Sequence, residues 1–567
     1  MLAKRILAEA RYWASNAVFS AACRAEVNAL LASGNADELR ARFQHPLRFG
    51  TGGMRGVVGF GTSRLNIYNV RRSSCAVGRY LLRSHQQTPS IIISYDTRLH
   101  SRQFAVASCE VFAALGIAVH LTQECRPVPL LSYAVRKLNC QAGVCITASH
   151  NPPDNNGYKV YWQHGGQVVP PHDKAIMDIY DTLVRYEEIP HIPYSQALQA
   201  GMIKEHGQEL DEHYLNTLAD LARRTLPDVA AVYTPLHGTG ATLVPQALQQ
   251  LGFGKIVVVA AQAPDGNFPT VVSPNPENPQ ALRLAVAEAE KIGAQLVLGN
   301  DPDADRLGMM VKTDDGYKHL SGNEMVCVML EMRLATLQRE DRLPPHALVV
   351  RTIVTSRMVD AIATSYGVEC QATLPGFKWI GQLIEDYEQG KRAPYKRFIF
   401  GCEDSYGLLG SDALRDKDGV AACCLALQIS CQLEAAGKTW HQMLEELYAK
   451  HGWHQHKTLS YPNDKDVSLL AKLRQEPTLL GKLRWVEDYR TGSRELYDGC
   501  TTSTAREELS LPRSDILQLY LTDASIVTIR PSGTEPLLKC YIAVKGASKD
   551  ECDTKTAELV AKIQALL

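Results

Sequence analysis

Three aspartates in the motif GNDPDADR are the side chains whose type and spacing most directly suggest chemistry. Asp301, Asp303 and Asp305 alternate just after the apolar run AQLVLG. In an extended segment, alternate side chains point the same way, so we expect the three carboxylates to converge. Two like charges about 4 Å apart repel by roughly 4 kcal/mol at an effective dielectric of about 20, so such a cluster needs a cation. Hard oxygen ligands without nearby Cys or His favour Mg²⁺ over Zn²⁺. The alternative is a solvated acidic turn.

A serine in the motif TASHNP is the second candidate. Ser149 follows an apolar run, and Asn151 and Pro152 favour a tight turn around it. Because no GxSxG elbow or acid–histidine relay accompanies it, serine hydrolase chemistry is not favoured. A serine can instead carry a phosphoryl group if a metal neutralises the developing charge, and the acidic cluster could hold that metal. The alternative is a serine that only caps the next segment.

Two glycine-containing loops could bind anions. RPSGTEP, residues 530–536, combines Arg530 with two hydroxyls and with backbone N–H groups around Gly533. Arginine binds phosphate in a fork, and such N–H groups add dipoles, so this loop is a good phosphate cradle. FGTGGMRG, residues 49–56, places Arg55 among flexible glycines. Taken alone, either motif could be a surface turn.

The elements that must position these motifs repeat one plan. Three segments each place short β-branched runs between helical stretches of about 10–15 residues, which predicts βα units and mostly parallel sheets. The segments contain, in order, SIIISYD with QAGVCITASHNP, AAVYTPLHG with AQLVLGNDPDADR, and ALVVRTIVTS with RFIFGCEDSYG. Because ligands of open α/β sheets bind at the carboxyl ends of strands, the three motifs are expected to form three walls of one site.

The end of the chain follows a different pattern. SIVTIRPSGTEPLLKCYIAVKG predicts two strands around a loop, followed by a closing helix. With 567 residues, the chain is too long for a single core. The sequence therefore predicts an α/β protein of three similar mixed α/β domains and a C-terminal α+β domain. The predicted boundaries are 1–210, 211–325, 326–450 and 451–567.

Charge and cysteine content restrict the class of partner. Lys plus Arg number 60 and Asp plus Glu number 61, so bulk charge indicates no nucleic-acid or membrane-surface partner. We find no secretory signal pattern and no apolar run long enough for a membrane span. The fifteen cysteines are scattered without metal-ligand spacing, as is typical of reduced thiols. A cytoplasmic protein is expected.

Together, TASHNP, DPDADR, an EDS segment and RPSGTEP resemble the α-D-phosphohexomutase superfamily in order and spacing, over nearly the whole chain. FGTGGMRG, NNGYKVYW and RDKDG are more similar to its phosphoglucomutase/phosphopentomutase branch. The resemblance implies four domains around a central cleft, each supplying one loop.

The resemblance also implies roles for individual residues. Ser149 would be a phosphoserine, and its phosphate would bind Mg²⁺ together with Asp301, Asp303 and Asp305. Lys159 and Arg55 match basic residues beside the reacting oxygen. The residues implied to contact the substrate are Arg306, Gly376, Lys378, Glu403, Ser405, Arg530, Ser532, Gly533 and Thr534.

The implied reaction interconverts glucose 1-phosphate and glucose 6-phosphate through glucose 1,6-bisphosphate, which also serves as activator. Its partners would be small sugar phosphates, and the oligomeric state is not indicated. One departure concerns TLPGFK, where Phe377 replaces the histidine common in relatives. Lys378 could serve instead, so the general acid/base is left open. Phosphopentomutase, a dual phosphoglucomutase/phosphomannomutase, a non-catalytic sugar-phosphate sensor and a phosphatase are the alternatives.

Overall fold

The computed structural model describes residues 2–48, 53–221, 228–462, 469–498, 503–532 and 537–567. The chain divides into two units. The first consists of Met1–His319, Gly381–Ala393 and Gly407–Ala435, and the second of Leu320–Ile380, Pro394–Tyr406 and Ala436–Leu567.

The first sheet of the first unit carries the serine motif. Its strands are β1 (Met54–Val57), β2 (Ser90–Tyr95), β3 (Ala118–Thr122), β4 (Ala142–Ile146), β5 (Asn155–Trp162) and β6 (Ile203–His206). The strand order is β1-β5-β4-β2-β3-β6. Strands β2, β3, β4 and β6 are parallel, whereas β5 runs antiparallel to β4 and to β1. The β-branched run SIIISY forms the buried centre of this sheet, as its composition predicts.

Helices cover this sheet. They are α1 (Leu2–Ser15), α2 (Ala21–Ser33), α3 (Ala36–Phe43), α4 (Ile67–Ser84), α5 (Ser101–Ala114), α6 (Val128–Lys137), α7 (His172–Thr182), α8 (Tyr194–Gln199) and α9 (Gln208–Asn216). Trp13 and Phe19, stacked with ring centroids 4.3 Å apart, anchor the N-terminal helices to the core. Burial of such aromatic surface is a large stabilising contribution.

A second sheet in the first unit carries the aspartate motif. Its strands are β7 (Ala231–Thr234), β8 (Ile256–Val258), β9 (Leu296–Gly299), β10 (Gly308–Thr313) and β11 (Gly316–Leu320), with α10 (Gly240–Gln250) and α11 (Arg283–Ile292). The order is β11-β10-β9-β7-β8, and β7 pairs in parallel with both β8 and β9. The acidic motif leaves the carboxyl end of β9, where α/β sheets place ligands.

The second unit contains a parallel sheet followed by an antiparallel one. The parallel strands are β12 (Ala347–Thr352), β13 (Glu369–Thr373) and β14 (Arg397–Cys402), with β12 between the other two. The short β15 (Leu408–Leu409) belongs to the first unit. The second unit continues with β16 (Trp453–Pro462), β17 (Leu483–Asp488), β18 (Ser493–Tyr497), β19 (Ser503–Glu508), β20 (Leu517–Leu521), β21 (Ile526–Pro531) and β22 (Leu537–Gly546). These last seven form an antiparallel sheet of order β16-β22-β21-β20-β17-β18-β19.

The remaining helices are α12 (Gly322–Arg339), α13 (Met358–Ser365), α14 (Phe377–Glu388), α15 (Gly419–Ala435), α16 (Trp440–His451), α17 (Leu469–Gln475) and α18 (Lys549–Leu566). Capping boxes define the starts of α12 at Ser321 and of α16 at Thr439.

The predicted fold class is confirmed, because mixed α/β sheets are followed by an antiparallel sheet with helices. The C-terminal sheet is larger than predicted. Two strands and a closing helix are where the sequence placed them, but five more strands join them. The domain boundaries at 210, 325 and 450 stay predictions.

Within the described residues, no single helix is both long and apolar enough to cross a membrane. Among the same described residues, the consecutive helices α15 and α16 reach the length and composition of a span as a pair, but they are bent by 85° to each other. The cysteines in the described part of the chain are free thiols.

Candidate active site

Ser149 lies on a strained turn just after β4. Its φ of 53° falls in the left-handed region, which a residue with a side chain rarely occupies. The Ser149 N–H donates to the hydroxyl of Thr147 at 2.9 Å, and the Asn151 N–H donates to the Ala148 carbonyl at 3.2 Å. Such strain costs about 1–3 kcal/mol and persists only where surrounding contacts enforce it. The bend predicted from Asn151 and Pro152 is therefore centred on the serine itself.

Arg98 supplies those contacts, and sequence reasoning missed it. Its guanidinium donates to four backbone carbonyl oxygens, namely those of Ser149 at 2.6 Å, Asn151, Pro152 at 2.7 Å and Asn155 at 2.9 Å. Asp96 lies 3.3 Å from the Arg98 Nε, and both side chains are fully buried. A planar five-donor group is well suited to fix a loop through its carbonyls. The signal available in the sequence was YDTR, a charged pair directly after a buried strand.

The three aspartates converge, but not for the reason predicted. Residues 301–305 form a turn rather than an extended strand, and Ala304 takes a left-handed φ of 51°. One carboxylate oxygen from each of Asp301, Asp303 and Asp305 lies within 4.8 Å of the others. Strand alternation was therefore the wrong explanation, because the turn brings the carboxylates together.

Direct hydrogen bonds join the serine turn to the aspartate turn. The Ser149 Oγ donates to Asp301 Oδ2 at 2.7 Å, and the Thr147 hydroxyl donates to Asp303 Oδ2 at 3.2 Å. Ser149 is 1% exposed, and Asp301 and Asp303 are fully buried. The geometry thus places a hydroxyl against a buried cluster of carboxylates.

The carboxylates fit a hard divalent cation. Asp303 Oδ1 and Asp305 Oδ1 are buried and have no hydrogen-bond partner among the described residues. An unsatisfied buried carboxylate oxygen is costly unless a cation binds it. The donor set is entirely oxygen, which is the preference of Mg²⁺ rather than of softer metals.

Cationic side chains surround the same cluster. Lys159 on β5 places its Nζ 2.7 Å from Asp303 Oδ2 and 3.5 Å from Asp305 Oδ2. The Nζ of Lys417 lies 3.1 Å from Asp305 Oδ2, and the Nε of Arg306 lies 3.8 Å from Asp305 Oδ1. Lys417 was not among the predicted site residues, although the motif RDKDG contains it. The site can therefore neutralise an anion as well as hold a metal.

The protonation equilibria reflect this mixture of charges. Burial, followed by the charges of Asp303 and Asp305, raises the pKa of Asp301 well above its usual value. Burial also acts to raise the pKa of Asp305, but Lys417 and Lys159 outweigh it and the pKa is lowered. Burial acts to lower the pKa of Lys159, whereas the two carboxylates outweigh it and the pKa is raised. The two carboxylates therefore favour the charged form of Lys159.

Arg55 approaches the cluster from β1. Gly53, just before it, has a φ of 105°, and a Cβ there would lie 2.5 Å from the carbonyl oxygen of Tyr158. Only glycine permits so close an approach of two backbones. Burial lowers the pKa of Arg55, and the nearby charge of Asp303 opposes that change. Of the FGTGGMRG motif, residues 49–52 lie outside the described residues.

The second unit holds the predicted sugar and phosphate residues. Glu403 and Ser405 follow β14, Gly376 has a φ of 109°, and Lys378 lies on the first turn of α14. Lys378 and Glu403 are both buried, at 7% exposure. Gly533 and Thr534 lie outside the described residues, whereas Ser532 is partly exposed at the end of β21.

Tyr541 connects two of these predicted loops. Arg530 donates to its hydroxyl at 3.0 Å. Burial raises the pKa of Tyr541 to about 12, with further increases from the charges of Asp404 and Glu403. Glu403 and Arg530 therefore act on one side chain of the second unit.

Comparisons with known proteins agree with these features. Models described as phosphoglucomutase/phosphomannomutase, alpha/beta/alpha domains I, II and III, match residues 46–187, 212–316 and 321–451. A phosphoglucomutase from Staphylococcus aureus (strain MSSA476) is 34% identical over 542 residues, covering 92% of this chain and 94% of that protein. One from Staphylococcus saprophyticus is 32% identical over 528 residues, covering 91% and 93%.

A solved structure shares the fold. The phosphoglucomutase/phosphomannomutase family protein from Burkholderia thailandensis has a TM-score of 0.66 at 19% identity, over 91% of this chain and 97% of that one. From the domain models and the relatives, we conclude that this chain belongs to the phosphoglucomutase/phosphomannomutase family of the α-D-phosphohexomutase superfamily and is an enzyme of the intramolecular phosphotransferase type.

Proposed function

We propose that this chain is a phosphoglucomutase that interconverts α-D-glucose 1-phosphate and glucose 6-phosphate through a phosphoserine at Ser149. Glucose 1,6-bisphosphate is both the intermediate and the activator. The observation that carries the proposal is the Ser149 Oγ, 2.7 Å from Asp301 inside a buried acidic cluster. Relatives named phosphoglucomutase at 32% and 34% identity support glucose as the sugar.

The reaction needs two transfers at one serine. A free hydroxyl of the sugar monophosphate attacks the phosphorus and the bond to Ser149 Oγ breaks. In net terms the sugar hydroxyl loses its proton and Ser149 Oγ gains one. The bisphosphate then reverses its orientation in the site, and its other phosphate is transferred to Ser149. Alignment and charge neutralisation supply most of the catalysis in phosphoryl transfer. Lys159, Arg306 and Lys417 provide positive charge beside the serine turn.

Mg²⁺ is the metal that the site would take. Asp301, Asp303 and Asp305 would hold it together with the phosphate on Ser149. When bound, it supplies positive charge that polarises the phosphoryl group. The surrounding side chains hold the three carboxylates in place and exclude water, since each carboxylate is at most 1% exposed.

The residues in the second unit bind the part of the substrate that does not react. Glu403 and Ser405 would hold sugar hydroxyls. Arg530 and Ser532, with Gly533 and Thr534, would grip the non-reacting phosphate. The Nε of Arg530 is buried without a hydrogen-bond partner among the described residues, which is consistent with an anion as its partner. Gly376 and Lys378 complete the proposed substrate contacts.

The test is a comparison of kcat/KM for glucose 1-, mannose 1- and ribose 1-phosphate, with Mg²⁺ and the matching bisphosphate present. We expect glucose 1-phosphate to give the highest value. A higher value for ribose 1-phosphate would make the chain a phosphopentomutase, and equal values for glucose and mannose would make it a dual enzyme. Binding of all three without turnover would identify a sensor.

A further inference from the structure

The antiparallel sheet in the second unit has two faces of different composition. Side chains alternate between the faces of a strand. Val486, Leu519 and Val527 lie in an apolar core together with side chains of α17 and α18. Trp485 and Glu487, on either side of Val486, belong to the opposite face. Their cross-strand partners on that face include Tyr520 and Arg494. One face is therefore aliphatic, and the other is aromatic and charged.

The aromatic face borders a cavity of about 290 Å³. We call it the arginine cavity. Its wall includes Arg351, Arg357, Trp485, Glu487, Arg494 and Tyr520. This volume lies at the lower end of the roughly 300–1,000 Å³ typical of ligand pockets. It contains none of the residues assigned to phosphoryl transfer.

Three guanidinium groups converge on the cavity. Arg351 is buried and pairs with Asp360 at 2.8 Å, and Arg494 pairs with Glu487 at 2.7 Å. Arg357 is 48% exposed and lies 3.7 Å from Asp360, so it keeps donors for another partner. Burial and then Glu487 raise the pKa of Tyr520, while Arg357, Arg351 and Arg494 all lower it. The charge of each arginine therefore lies close enough to Tyr520 to affect the pKa of its hydroxyl.

The aromatic part of the wall is already stacked. Trp485 and Tyr520 form a cross-strand pair, with ring centroids 4.4 Å apart and planes 27° apart. Ile353, Leu509 and Leu511 add apolar surface. Aromatic and aliphatic walls favour a planar ring, whereas guanidinium groups favour a phosphate. The buried carboxylate of Glu487 accepts hydrogen bonds from the Tyr489 hydroxyl at 2.7 Å and from Arg494, which fixes these two side chains in the wall.

We propose that the arginine cavity is a second binding site, whose ligand is a small phosphorylated ring compound of the size of a nucleoside monophosphate. A dinucleotide would exceed its volume. No described residue of the RPSGTEP loop lies in its wall. Ile526 in the cavity wall and Arg530 lie four residues apart on β21, or about 13 Å along an extended strand.

Adenosine and uridine monophosphate are the probes, titrated into the full-length protein by calorimetry. We expect one molecule per chain, binding that inorganic phosphate alone does not reproduce, and no displacement by saturating glucose 1,6-bisphosphate. Arg357→Ala should weaken binding about tenfold or more, because a charged hydrogen-bond donor to phosphate is lost. The matched control is Arg342→Ala, at a surface arginine that is 37% exposed and outside the cavity wall.

Trp485→Leu tests the stacking surface and should also weaken binding. If that variant fails to fold, Arg357→Ala still decides, because Arg357 is half exposed and its ion pair with Asp360 is long, at 3.7 Å. Absence of binding of either nucleotide at about 5 mM would overturn the proposal. Displacement by the bisphosphate, equal binding of inorganic phosphate, or wild-type affinity in Arg357→Ala would also overturn it.

Discussion

The two units hold their candidate site residues in different ways. In the first unit, Ser149 and the three aspartates are at most 1% exposed and are bonded to one another or to lysines. In the second unit, Ser405, Arg530 and Ser532 are partly exposed, whereas Glu403 and Lys378 are buried at 7% exposure. The first arrangement is buried throughout, while the second combines buried and partly exposed side chains.

This difference matches two tasks. Phosphoryl transfer depends on alignment within fractions of an ångström, so the reacting groups benefit from burial and from a rigid network. Recognition must accept the sugar with its phosphate at either end, so its contacts cannot be specific for one end. We therefore expect changes in the first unit to lower kcat, and changes in the second to act mainly on KM.

Asp303→Asn should have the largest effect among the following variants. The change removes one charged ligand and weakens the contact with Lys159, so we expect kcat to fall roughly 1,000-fold and the Mg²⁺ requirement to rise. The measurement is kcat against Mg²⁺ concentration, with Asp178→Asn on an exposed helix as control. Wild-type activity in excess chelator would mean that the cluster is a solvated turn without a metal.

Arg530→Ala should weaken recognition of both substrates alike. Loss of a charged, partly desolvated phosphate contact should cost about 2–4 kcal/mol in kcat/KM for glucose 1-phosphate and glucose 6-phosphate. The phosphate on Ser149 and the Mg²⁺ requirement should not change. Steady-state kinetics in both directions measures this, with Arg484→Ala as the surface control. Unchanged kinetics would show that the RPSGTEP loop is only a turn.

Arg98→Lys should distort the turn that carries Ser149, although Arg98 itself is not a proposed substrate contact. One ammonium cannot donate to four carbonyls in the geometry of a guanidinium, so we expect kcat to fall about 30-fold, with KM nearly constant. Phosphorylation of the enzyme by glucose 1,6-bisphosphate should slow by a similar factor. Arg71→Lys, in the ion pair with Glu110, is the control. A change confined to thermal stability would make Arg98 a purely structural residue.

Glu403→Gln should have the smallest effect. A charge-assisted hydrogen bond to a sugar hydroxyl becomes a neutral one, which costs about 1–2 kcal/mol, or roughly ten- to thirtyfold. KM should rise more than kcat falls. If kcat fell instead with KM constant, the division of tasks between the units would be wrong.

The sequence predicted those features that depend on local pattern. β-Branched runs such as SIIISY marked the central strands, and Ser149 was correctly placed on a turn after an apolar strand. The hard-oxygen composition of DPDADR was sufficient to suggest a cation. These inferences need only residue type and short spacing.

The features that the sequence did not predict depend on contacts between residues far apart in the chain. Arg98 acts on carbonyls about fifty residues away, and Lys417 reaches Asp305 from much later in the chain. Turn geometry at Ala304 could not be read from an alanine, which rarely adopts a left-handed φ. Strands β17 to β19 were missed because charged residues at both odd and even positions interrupt their apolar alternation.

The most direct test of the account is to follow one phosphate on and off Ser149. The enzyme is incubated with glucose 1,6-bisphosphate, desalted, and examined by intact mass and peptide mapping. It is then mixed with glucose 1-phosphate alone. With a radioactive label on both phosphates of the bisphosphate, we predict one labelled phosphate per chain, located on Ser149, and an equal amount of label in glucose 6-phosphate after mixing, while unlabelled phosphate from the substrate replaces it on the serine; Ser149→Ala should carry no phosphate and show no turnover. Phosphate at another residue, or turnover by Ser149→Ala, would contradict the account.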